Sequence, residues 1–119
     1  MTTTPSTIGY RRGDIVLVSF PFTDLTFAKR RPALVVSPDI FNELNEDLIL
    51  LAVTSQLSPF PDSIPVLPAD CEEGALPKES IVKLTKVFTL SSTLVLKKLC
   101  RLSNRHLNVV LDGLRSLYS

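Results

Sequence analysis

Two runs of strand length, PALVVS (residues 32–37) and DLILLAVTS (residues 47–55), are apolar almost without interruption. A strand with one face in water alternates apolar and polar residues. An unbroken run therefore belongs either to a strand covered on both faces or to a sheet wrapped into a small barrel. At 119 residues the chain can bury one such core but not two independent ones. DIVLVSF (residues 14–20), behind the turn residue Gly13, has the β-branched and aromatic content of a first strand. IVKLTKVFTL (residues 81–90) reads as a strand with one exposed face, where Lys83, Thr85 and Lys86 interrupt the apolar positions. It continues, after a turn at Ser91 and Ser92, into TLVLKKLCRL (residues 93–102).

The connections follow from their punctuation. PDIFNELNE (residues 38–46) starts a short helix or turn at Pro38 and Asp39, with Ile40, Phe41 and Leu44 at helical spacing. Pro59, Pro61, Pro65 and Pro68 forbid a central strand and leave a loop with a short edge strand around residues 64–67. GALPKES (residues 74–80) is read as a turn. In SNRHLNVVLDGLRSLY (residues 103–118), Ser103 or Asn104 caps an amphipathic helix whose apolar face is Leu107, Val110, Leu111, Leu114 and Leu117. Residues 1–10 are expected to form a flexible segment ahead of a single domain over residues 11–119.

No apolar run reaches the roughly 20 residues of a membrane span, and MTTTPSTIGY lacks the layout of a secretory signal, so a cytoplasmic protein without membrane contact is expected. Cys71 and Cys100 lack metal-knuckle spacing and the chain has one histidine; no metal and no cofactor is expected, and both cysteines are read as unpaired thiols. The net charge is +1, but charge is segregated: five basic and two acidic residues over 11–31, eight acidic and no basic over 37–77, and eight basic and two acidic over 78–115. Folding either averages these blocks or gathers the first and third into a cationic patch.

The densest cluster is KRRPALVVS, with three cations running into a proline. Lys29, Arg30 and Arg31 are either a solvated loop, or Arg31, held by the rigid Pro32, points at a bound anion. A guanidinium suits the second role, since it grips two phosphate oxygens at once. Thr54, at the end of the second apolar run, is either an ordinary strand threonine or a hydroxyl that orients the same phosphate.

RRGDIVLVSFPFTD, KRRPALVVS, LLAVTSQL, LPKESIVKLTKVFTL and CRLSNRHLNVVLDGL, in this order, resemble the successive blocks of the MazF/PemK-like toxins of type II toxin-antitoxin modules, over nearly the whole chain from Arg12 onward. The resemblance implies a mostly β fold, a small SH3-like barrel of the MazF/CcdB kind with a C-terminal amphipathic helix. It further implies a homodimeric, metal-independent, sequence-selective endoribonuclease acting on single-stranded mRNA and restrained by a cognate antitoxin. Carried onto this chain, the catalytic pair is Arg31 and Thr54. Ser55, Lys29, Arg30, Lys83 and Lys86 are expected to contact substrate. Some relatives carry an acidic residue in the loop before the basic block; here Asp24 stands slightly displaced, as a substrate contact or as a turn former. Thr85 stands where relatives often have an acidic or amide residue.

The remaining candidates have plainer readings. His106 is expected to be structural or at the surface. Gly13 and Asp14 are read as architecture, Arg11 and Arg12 as possible additions to the anion-binding surface. Phe20, Phe22 and Phe27 either stack a base or pack the core. Two other functions are compatible with such a barrel, a CcdB-like gyrase poison and a non-catalytic SH3-like binding module.

Overall fold

A computed structural model of the chain describes residues 9–21, 28–57 and 61–119. Its elements are β1 (Asp14–Pro21), β2 (Ala28–Val35), α1 (Asp39–Leu44), β3 (Asp47–Thr54), β4 (Ser63–Val66), β5 (Cys71–Gly74), β6 (Ser80–Ser91), β7 (Val95–Leu102) and α2 (Asn104–Leu117). The strands make one antiparallel sheet in the order β4-β6-β3-β2-β1-β7-β5.

The two edge strands of this sheet are consecutive in the chain, separated only by residues 67–70. Laid flat, the seven strands would hold those edges about 29 Å apart at ~4.8 Å per strand. The chain from Val66 to Cys71 reaches at most about 18 Å. The sheet must curl, and the short link makes it a partial barrel, one of the two arrangements that the unbroken apolar runs allow.

Curling explains those runs. In β1, β2 and β3 alternate residues enter two different cores. Ile15, Leu34, Leu51 and Val53 line the inner one with Val82, Leu84, Cys100 and Leu102. Val16, Val18, Ala33, Val35, Leu48 and Leu50 form an outer one, flanked by Tyr10, Phe88, Leu90 and Val95. Tyr10, assigned from the sequence to a flexible terminal segment, is thus part of the fold, and its carbonyl accepts a bond from Asn42 Nδ2 at 3.2 Å.

β6 changes face halfway. Its register against β3 runs Leu51↔Val87 and then Val53↔Val82, so extra residues bulge out around Lys83–Lys86. The odd offset sends Val82 and Leu84 to the inner core and Phe88 and Leu90 to the outer one. β5 is missing from the sequence reading because CEEG is short and polar; it pairs with β7 alone, as an edge.

Helix α2 covers the inner core with Leu107, Val110 and Leu111, assisted by Leu114 and Leu117, as its spacing predicts. Ser103 Oγ accepts the His106 amide at 3.2 Å, which fixes Ser103 as the cap. Replacing Ser103 with alanine is expected to lower the free energy of unfolding by about 1 kcal/mol, and Ser103→Asn to restore most of it, read from urea midpoints.

Asp14, 1% exposed, ties the barrel together where β1 begins. Its Oδ2 accepts the Arg11 amide at 2.8 Å, and its Oδ1 accepts Arg101 Nε at 3.0 Å and lies 3.4 Å from Lys98 Nζ. The bond to Asp14 holds the Arg101 guanidinium above its usual range. Gly13, at φ +100°, makes the turn into this strand. Arg12 donates from its amide to Asp39 and from Nε to the Val36 carbonyl, both at 2.8 Å, while Arg11 Nε lies 3.6 Å from Asp39. These two arginines anchor α1, a correction to the sequence reading that offered them to an anion.

Candidate active site

Pro32 decides where the site opens. The β2–β3 ladder runs Val35↔Leu50, Leu34↔Leu51, Ala33↔Ala52 and stops. Pro32, next in line, has no N–H to give. Beyond it β2 stays with β1, through Pro32↔Leu17 and Arg31↔Val18, while β3 stays with β6, through Thr54↔Ile81. The two adjacent interior strands β2 and β3 therefore part, and a cleft opens between them.

Continuing the register past the break sets Arg31 opposite Thr54. Arg31 shares a face of β2 with Ala33 and Val35, and Thr54 shares a face of β3 with Leu50, so both project on the outer-core side. The result is a concavity of about 340 Å³ lined by Lys29, Arg30, Arg31, Pro32, Val53, Thr54, Ser55 and Gln56.

Its chemistry is that of an anion site. The side chains of Lys29, Arg30 and Arg31 are exposed and, among the described residues, none of them makes a hydrogen bond or ion pair. Three adjacent uncompensated cations favour a bound polyanion. Thr54 Oγ1 accepts the Gln56 amide at 3.1 Å, which occupies a lone pair and leaves its proton to donate into the cleft. On the other side of Pro32 and Ser55 lies a more apolar hollow of about 370 Å³, walled by Leu17, Leu76, Pro77 and Leu99 and rimmed by Lys78 and Lys97.

Of the residues singled out from the sequence, the fold therefore gathers Arg31, Thr54, Lys29, Arg30 and Ser55 around one concavity. Lys83 and Lys86 do not line it: they stand on the bulged stretch of β6, with Lys83 beside Ser63 of β4. Asp24, Phe22 and Phe27 lie outside the described residues. Thr85 is exposed on the same bulge. His106 serves architecture, with Nε2 2.8 Å from the Pro65 carbonyl and Nδ1 3.6 Å from Asp70.

Gln56, Lys78 and Lys97 escaped the sequence reading. Gln56 follows Thr54 by two residues, the spacing of a hydroxyl-to-backbone turn, and that signal was available. Lys78 and Lys97 are distant in sequence and share the rim of one hollow only in the folded chain.

Comparison with known proteins places these features in a family context. Residues 11–118 match the family model described as PemK-like, MazF-like toxin of type II toxin-antitoxin system. No curated protein sequence matches the chain. Among solved structures, an endoribonuclease in complex with its cognate antitoxin from a mycobacterial species superposes with a TM-score of 0.73 at 18% identity, covering 90% of this chain and 92% of that one. A MazE-MazF complex from Deinococcus radiodurans gives 0.71 at 25% identity, covering 93% and 96%.

Proposed function

From the premise that this chain belongs to the PemK-like, MazF-like toxins of type II toxin-antitoxin systems, we propose that it is a metal-independent endoribonuclease that cuts single-stranded mRNA in the cytoplasm. The observation that carries this reading is the juxtaposition of Arg31 and Thr54 across the parted β2 and β3. An endoribonuclease is named among the similar structures.

The substrate supplies its own nucleophile. The 2′-OH attacks the adjacent phosphorus, the bond to the 5′-oxygen of the next nucleotide breaks, and a 2′,3′-cyclic phosphate and a 5′-OH result. Charge builds on the phosphoryl oxygens in the five-coordinate transition state. Arg31 grips two of these oxygens with its planar guanidinium, and Thr54 donates its free hydroxyl proton to the same group. Lys29 and Arg30 hold flanking phosphates, and Ser55 adds a second hydroxyl beside Thr54. No carboxylate or imidazole lines the described part of the concavity, which leaves Asp24 as the carboxylate nearest in sequence to the three cations.

The same reading assigns a homodimer and a cognate antitoxin whose acidic segment competes with RNA for Lys29, Arg30 and Arg31. One assay separates it from gyrase poisoning and from non-catalytic binding: single-stranded RNA incubated with the protein in EDTA. Cleavage leaving cyclic phosphate and 5′-OH ends is expected, and a 2′-deoxy substitution at the cut nucleotide should abolish it. Intact RNA, or cleavage that disappears with EDTA, refutes the proposal.

A further inference from the structure

Strands β5 and β7 bring the chain's two cysteines together. Their register sets Gly74 opposite Cys100 and Cys71 opposite Leu102, with an irregularity between. That offset turns Cys71 diagonally toward Cys100, and the two Sγ atoms lie 2.9 Å apart as free thiols. Gly74 permits the approach: at φ +77°, a Cβ there would stand 2.4 Å from the Leu99 carbonyl oxygen and 2.9 Å from Cys100 Cα. The thiols are unequal. Cys71 is partly exposed on the edge strand, whereas Cys100 is fully buried in the inner core. A reagent from solvent therefore meets Cys71 first and reaches Cys100 only through it.

We propose that Cys71 and Cys100 are a reversible oxidation site, closed by a low-molecular-weight disulfide such as oxidised glutathione into a cross-strand disulfide that staples β5 to β7. Cys71 thiolate attacks one sulfur of the small disulfide; that S–S bond breaks, a mixed disulfide forms, and one small thiol leaves. Cys100 thiolate then attacks Cys71 Sγ, the mixed disulfide breaks, and the second small thiol leaves. Two protein thiols are oxidised, one small disulfide is reduced, and the two protons depart on the two small thiols. Burial above all, then the contact with Cys71 and the charge of Asp14, push the Cys100 thiol up, while its place 2.9 Å from Cys71 Sγ makes the second exchange intramolecular.

The bond encloses residues 71–100, which include all of β6 and the loop that walls the apolar hollow. Closing a loop of that length constrains the unfolded chain and leaves the native register in place.

The test uses the full chain across a series of oxidised-to-reduced glutathione ratios, quenched in acid and read by intact mass, thiol labelling and peptide mapping. Both thiols should disappear together with the loss of two hydrogens, the Cys71 and Cys100 peptides should be joined, and the melting temperature should rise by about 10 °C and revert with reductant. In Cys100→Ser the reaction should stop as a glutathione adduct on Cys71; in Cys71→Ser, Cys100 should remain unmodified. A native wild-type chain that keeps both thiols while the urea-unfolded chain oxidises, or that halts at the Cys71 adduct, overturns the proposal. None of these readouts depends on RNA cleavage.

Discussion

Arg31→Ala is expected to slow RNA cleavage by on the order of a hundred- to a thousandfold, the usual loss when one fixed donor to a developing oxyanion is removed, while the chain unfolds at nearly the parent urea concentration. Stability should hold because the Arg31 side chain is exposed, has no bonded partner among the described residues, and stands beside two like charges. Arg31→Lys should recover only part of the rate, since it restores charge without the two-pronged grip. Thr54 offers a parallel comparison on the opposite strand: Thr54→Val removes the hydroxyl and keeps the shape, and Thr54→Ser keeps the hydroxyl. Single-turnover rates that fall for valine and survive for serine would assign the effect to the proton that Thr54 donates. Equal rates for Arg31→Ala and the parent, with both folded by circular dichroism, would remove Arg31 from the mechanism.

The largest effect on stability is expected at Asp14. Its carboxylate is buried and shared by the Arg11 amide and Arg101 Nε, with Lys98 close by. Asp14→Ala leaves Arg101, whose side chain is 19% exposed, facing a hole where its partner was. Breaking a largely buried pair on one side costs more than the pair contributes, because the remaining charge has lost most of its water and its bonded partner, with Glu73 and Glu72 left to act on it only at longer range. A loss of about 3 kcal/mol is expected from denaturant unfolding. Without Lys98, Asp14 still accepts the Arg11 amide and Arg101 Nε, so Lys98→Ala should cost well under half as much. A loss below about 1 kcal/mol for Asp14→Ala would mean that Arg101 finds water after all.

The parts of the molecule legible in the sequence are those whose cause is local. Unbroken apolar runs announced strands covered on both sides, and Leu107, Val110 and Leu111 announced the face of α2. In the sequence Pro32 reads only as the rigid neighbour of Arg31; that the β2–β3 ladder ends there and a cleft opens depends on β1 and β6 drawing the strands apart. What stayed hidden depends on pairing between distant segments. β5 exists only because β7 is beside it, and the bulge in β6 carries Lys83 and Lys86 away from the cations they resemble in composition. The cysteines show the same limit, since 29 positions of separation say nothing about the 2.9 Å between their sulfurs.

The pairing of β1 with β7 joins residues near the start of the chain to residues near its end, Asp14 to Arg101 and Ile15 to Cys100. Arg31 and Thr54 are made early in synthesis, on strands that neighbour one another in sequence. The inner core beneath them still waits for Cys100, Leu102, Leu107, Val110 and Leu111. A growing chain thus carries every side chain of the proposed cleft well before it has the packing that aims them, and the sheet closes only once the final helix is free to fold against it.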